Sequence, residues 1–210
     1  MAKGKTCFPR LANNRTKVDC LQHELNLHLY INHATQDRIF YVTGDHVRKD
    51  SNLSIHIMLL SIEDHKKNYP DVRTYYHNCD GGAENANKYL FGMCVLLVAT
   101  GVFDTIEVQR LPSNHHHDDC DSAFGKAATS VNQKTVYTFS DWKDAVESST
   151  QDLTIRSDAP NRRNRVIFID CVPNYHLFLE PCIDHQFGRV FKEDQTHHVA
   201  LFSKAAAPSE

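Results

Sequence analysis

Leu25, Leu27, Leu29 and Ile31 alternate with Asn26, His28 and Tyr30, the period-two pattern of a strand with one buried face. Arg38 to Thr43, rich in Ile, Phe, Tyr and Val, reads as a second strand across the short polar stretch NHATQD. The two predict an antiparallel hairpin. From Leu53 the spacing changes: Ile55, Met58, Leu59 and Ile62 fall on one helical face, with Asp50, Ser51 or Asn52 as a cap and Pro70 closing the segment. Val72–His77 reads as a strand, Glu84–Thr100 as a helix ended by Gly101, and Thr105–Leu111 as a strand stopped by Pro112. A polar loop, His115–Asp121, leads into a helix through Phe124 toward Val131, and Thr138-x-x-Asp141 is a capping box for a helix through Trp142 and Val146.

The remainder carries less pattern. Residues up to Glu24 lack periodicity and, with Pro9, Asn13 and Asn14, read as loop. Gln151 to Arg165 is polar and reads as a linker, with Arg162, Arg163 and Arg165 solvated in it. Val166–Asp170, Leu177–Leu179 and His198–Phe202 are short strand candidates in a small mixed appendage. Strands alternating with helices predict an α/β class, divided as residues 1–150, a linker over 151–165, and a C-terminal extension over 166–210.

Composition narrows the function classes. The chain has 210 residues, 41% hydrophobic and 23% charged, and a formal net charge of -3; no global basic field draws it to nucleic acid, so any such contact is local. The longest apolar run, Leu90 to Val98, is too short to span a bilayer. MAKGKTCFPR has basic residues without an apolar stretch behind them, so a secretory signal is not expected. Seven cysteines occur without a CxxC pair, which predicts reduced thiols in the nucleus or cytoplasm rather than a zinc ribbon. Cys79, Cys120 and Trp142 read as packing residues.

Two acidic rims carry candidate chemistry. Asp80 follows a strand and precedes Gly81, Gly82 and Glu84; a carboxylate there, with glycines that let a ligand approach the backbone, suits a metal or phosphate position, and equally a simple turn before a helix whose dipole Glu84 complements. Asp118 and Asp121, at i, i+3 spacing, would share one face at the start of a later helix, while His115, His116 and His117 precede them. Oxygen ligands of this kind suit a hard divalent cation. The alternatives are solvated histidines beside acids at a helix start, or a zinc site of the three histidines with Cys120.

The compound run from Cys79 to Gly125 resembles an uncharacterised eukaryotic domain family of transposon origin. Its members read Asp, a short turn, Glu-Asn-x-Asn, then Gly-His-Thr-His, acidic residues and Phe. Here the corresponding residues are Asp80, Glu84-Asn85-Ala86-Asn87, His115, His117, Asp121 and Phe124, with Asn114 in place of the Gly and His116 in place of the Thr. That family is similar to DDE/DDD transposases and integrases. The resemblance implies an RNase H-like mixed sheet flanked by helices, Mg²⁺ or Mn²⁺ as cofactor, and nucleic acid, chiefly DNA, as partner.

Its implied site has Asp80 and Asp121 as catalytic carboxylates, with His115 and His117 contacting phosphate or orienting an acid. Asp118 and Glu84 join the two carboxylates as metal ligands, and Asn85, Asn87 and Lys88 contact nucleic acid. The family's first acid precedes a Met and a Lys-x-x-x-Pro segment, which match Met1 and Lys5 to Pro9. The resemblance therefore implies a domain without its central opening strand and with two of three acids. The expected function is metal-dependent phosphodiester cleavage or strand transfer, incomplete in this chain; the alternative is an inactive remnant or a domesticated nucleic-acid- or protein-binding module.

Overall fold

The alternating segment pairs as its pattern predicts. In the computed structural model, β2 (His23–Asn32) and β3 (Asp37–Gly44) form an antiparallel hairpin with Leu29 opposite Phe40 and Leu27 opposite Val42. Asn32 shapes the turn, its Oδ1 accepting from the Ala34 and Thr35 amides at 3.0 and 3.4 Å, and Gln36 takes the left-handed conformation, φ 64°. The structure describes residues 2–9, 23–79, 85, 87–110, 119–150, 164–183 and 199–204. The chain divides into two compact units, Met1–Val47 with His116–Cys171, and Arg48–His115 with Val172–Glu210.

The first unit holds a four-stranded sheet. Ala2–Phe8, read above as loop, forms β1, antiparallel to β2 at the sheet edge, while β6 (Asn164–Ile169) lies parallel to β3 at the other. The correction at β1 has a physical source: pairing to β2 decides it, not a local alternation of its own side chains. Leu25, Leu27, Leu29, Phe40, Val42 and Val166 pack with Ala123, Ala127 and Val131 of α3 (Asp119–Asn132) and with Trp142, Ala145 and Val146 of α4 (Phe139–Glu147). One expectation fails on β2. Asn26 and His28, taken as solvent-facing, are buried at 4% and 1% exposure, so the strand is withdrawn from water on both faces; Asn26 donates to the Gly44 carbonyl at 3.3 Å.

The capping box at α4 forms as predicted, with both reciprocal bonds present. Its far end grips β6: Asn164 Nδ2 donates to Val146 O at 3.0 Å, and Glu147 Oε1 accepts from the Val166 amide at 3.0 Å. Asn164 and Arg165, placed in the linker by composition, thus belong to the strand.

The second unit is built on a β-α-β crossover. β4 (Thr74–Cys79) and β5 (Thr105–Arg110) are parallel neighbours joined through α2 (Lys88–Ala99), and β7 (Val199–Ser203) runs antiparallel to β5. α1 (Ser51–Asn68) starts at Asp50, whose carboxylate accepts from the Asn52 and Leu53 amides. Its Ile55, Met58 and Ile62 join Leu90, Phe91, Cys94 and Leu97 of α2 over Ile106, Val108 and Phe202 of the sheet. Gly101, at φ +78°, ends α2 as expected.

Several readings in this unit shift, β4 covering Thr74–Cys79 rather than Val72–His77. α2 begins at Lys88 rather than Glu84, because Asn87 accepts from the Tyr89 and Leu90 amides and so caps it. Leu177–Leu179, expected as a strand, lies in the short helix α5 (Tyr175–Leu179), where Asn174 accepts from the Leu177 amide and only Leu179 is fully buried. The C-terminal segment read as an extension supplies β6 to the first sheet and β7 to the second. The fold is α/β.

Candidate functional site

In the second unit the rim begins where β4 ends. Cys79 is fully buried and its thiol donates to the carbonyls of Asn85 and Gln109, at 3.4 and 3.6 Å, the packing role its position suggests. Desolvation pushes the neighbouring core thiol Cys94 up to about 12, so it stays protonated. Asp80 and Glu84 lie outside the described residues. Asn85 is 1% exposed, and its Oδ1 accepts from the Ser54 hydroxyl of α1 at 2.9 Å. Asn87 spends its side-chain oxygen on the helix cap. The two asparagines assigned to nucleic-acid contact thus make bonds that shape the turn into α2.

Lys88, the third residue of that set, sits at the surface of the rim. Its ammonium is 3.1 and 3.3 Å from the two carboxylate oxygens of Glu180, in the turn Glu180–Cys182 that follows α5. The Tyr89 hydroxyl donates to the same carboxylate at 2.5 Å. The hydrogen bond to Glu180 holds the Lys88 ammonium above its usual range and, with burial, raises the Tyr89 phenol as well. Tyr89 stacks on His176 with ring centroids 3.9 Å apart.

His176 is itself pinned to the start of α1. Its Nε2 lies 2.5 Å from Ser51 Oγ, and its amide donates to Asn52 Oδ1 at 3.1 Å. Tyr175 OH and His56 Nδ1 are 2.9 Å apart, and burial lowers the His56 imidazole. Tyr89, His176 and Glu180 escaped sequence reasoning because Leu177–Leu179, which His176 and Glu180 flank, read as a strand; the one available signal was Asn174 ahead of an apolar run, a helix cap.

In the first unit, Asp121 lies in the first turn of α3 and is exposed, beside Asp119, which is 3.7 Å from His33 Nδ1. Phe124 anchors that helix, its ring meeting Phe40 edge-on at 5.8 Å. Cys120 packs half-buried against the same core, in keeping with its packing role. His115, His116, His117 and Asp118 lie outside the described residues.

Of the residues assigned to a divalent cation, Asp121 is thus among the described ones, while Asp80, Asp118 and Glu84 are not. Its carboxylate is of the right class for Mg²⁺ or Mn²⁺. Among the described residues no group of three or more His, Cys, Asp or Glu is placed to hold a metal ion, so their geometry does not by itself complete a centre. No described helix is long and apolar enough to cross a membrane.

Compared with known proteins, the chain matches no curated protein and no solved structure. A family model described as a domain of unknown function (DUF7869) matches residues 17–208. That span takes in every described element after β1, including the rims at Asp80 and Asp121, and the chain therefore belongs to the DUF7869 family.

Proposed function

We propose that this chain is a transposon-derived phosphodiester-processing domain that depends on Mg²⁺ or Mn²⁺ and acts on DNA, in the nucleus or cytoplasm. The observation that carries this reading is the parallel pair β4–β5. Asp80 directly follows Cys79, the last residue of β4, at the strand end where open α/β sheets hold their ligands. The resemblance of the Cys79–Gly125 run to transposon-derived domains supports the same chemistry.

In this reading Asp80 and Asp121 are the principal acids, with Asp118 and Glu84 as further oxygen donors of the kind a hard cation takes. A bound cation would supply Lewis acidity at a phosphate oxygen and make water or a 3′-hydroxyl a better nucleophile. His115 and His117 contact phosphate or orient an acid. Asn85 and Asn87 act indirectly, fixing the turn from which Lys88 meets the phosphate backbone.

Calorimetric titration of the full chain with Mn²⁺ tests the assignment. Binding that is lost in both Asp80→Ala and Asp121→Ala, with melting temperatures retained, supports it. Unchanged binding in either variant removes that acid from the centre. A chain that binds DNA but takes up no Mn²⁺ is a nucleic-acid-binding module instead, and the enzymatic reading is then wrong.

A further inference from the structure

Lys88 is the one residue of the assigned nucleic-acid set whose charged group is exposed at the rim, and an internal carboxylate already holds it. Glu180 accepts from the Lys88 ammonium and from the Tyr89 hydroxyl. Two donors converging on one carboxylate, one a cation, reproduce the chemistry that recognises a phosphate. The first turn of α2 contains no acidic residue; Glu180 supplies, from a distant part of the chain, the negative charge that this helix start favours.

The segment carrying Glu180 is short, and Tyr175 and Ile183 at its two ends rest partly buried on the core. α5 and the turn after it are fixed by Leu179 in the core, by the His176 contacts with Ser51, Asn52 and Tyr89, and by Tyr175 with His56. Outward it presents Leu177 and Phe178, 74% and 61% exposed. The Glu180 and Lys88 side chains are themselves half and one-third exposed. In such a setting an ion pair is weak, so a polyanion can compete for the lysine.

We propose that Glu180 is an acidic gate on polyanion binding, occupying Lys88 and Tyr89 until a nucleic-acid phosphate displaces it. The gate presupposes the polynucleotide partner proposed above. It makes the start of α2 a regulated contact, with Lys88 contributing fully to binding only once Glu180 is neutralised or swung away.

The test compares the full-length chain with Glu180→Gln, Lys88→Ala and the double variant, using a fluorescein-labelled DNA duplex and anisotropy over a range of salt. Glu180→Gln is expected to bind several-fold more tightly at low salt and to steepen log K against log salt by about 0.9, the signature of one more phosphate contact. The double variant is expected to lose that gain. Equal binding by wild type and Glu180→Gln, or a gain that survives Lys88→Ala, overturns the gate while leaving the DNA reading in place. Absence of duplex binding by every chain overturns both.

Acylation of Lys88 by acetic anhydride, read by mass spectrometry, reports the contact without DNA. Glu180→Gln is expected to raise its rate at mildly alkaline pH, because the released amine deprotonates more easily. An unchanged rate in a variant that melts like wild type means that Glu180 does not hold Lys88 in solution, and the gate fails.

Discussion

The Ser54 hydroxyl donates to Asn85 Oδ1 across 2.9 Å, a buried bond that ties α1 to the turn ahead of α2. It converts Asn85, a polar residue on an acidic rim, into part of the scaffold that presents Lys88.

That bond predicts a stability effect. Ser54→Ala and Asn85→Ala are each expected to destabilise the chain, and a double-mutant cycle is expected to recover a coupling of about 1 kcal/mol, the usual net worth of a neutral hydrogen bond. Urea unfolding midpoints measure it. A cycle with no coupling, alongside weakened DNA binding in Asn85→Ala, would return Asn85 to the role of a direct ligand.

His77 predicts an acid-side loss of stability. It is 7% exposed, Tyr75 OH lies 3.0 Å from its Nδ1, and burial pushes the imidazole down to about 3. The unfolded chain therefore takes up this proton first as pH falls. The contribution of neutral His77 is complete above the unfolded value near 6.5 and declines as pH drops from there toward 3, by at most about 1.4 kcal/mol per pH unit. Chemical unfolding across that range should show a shallower slope in His77→Phe than in wild type.

The α4 capping box predicts a second, lower window. Hydrogen bonds from the Thr138 backbone and its side chain, and from the Tyr137 backbone, hold the Asp141 carboxyl below the usual range. Its support is present above the unfolded value near 4 and is lost as pH falls through the depressed folded value. Thermal melts in mild acid are expected to fall more steeply for wild type than for Asp141→Asn. Thr138→Ala is expected to cost about 1 kcal/mol at neutral pH.

Local chemistry made much of the fold legible. The hairpin followed from the Leu25–Ile31 alternation, α1 from apolar spacing behind Asp50, and α4 from Thr138 and Asp141; each is decided by neighbours in sequence. β1 was not legible, since its strand state depends on pairing Gly4 with Leu27 and Thr6 with Leu25. The start of α2 was placed too early because Glu84 suits a first helical turn, whereas the Asn87 side chain takes the amides that define the start. Leu177–Leu179 is apolar without a period, and such a run fits strand or helix until Asn174 caps it.

The candidate site divides the same way. Asp80 and Asp121 stand out as acids at a strand end and a helix start, and the Glu-Asn-x-Asn run by the resemblance; of its asparagines, Asn85 is buried against Ser54 and the partly exposed Asn87 caps α2. Lys88 and Glu180 lie 92 residues apart, and no motif joins them; only the packing of α5 against α1 and α2 brings that carboxylate to the rim.

The most direct measurement of the proposed function is Mn²⁺-dependent nicking of supercoiled plasmid DNA by the full chain, beside Asp80→Asn and Asp121→Asn. The account predicts nicking that requires Mn²⁺ or Mg²⁺ and falls to background in both variants while their folding is retained. Nicking that persists in both variants, or a folded wild-type chain that never nicks with either cation, would contradict it.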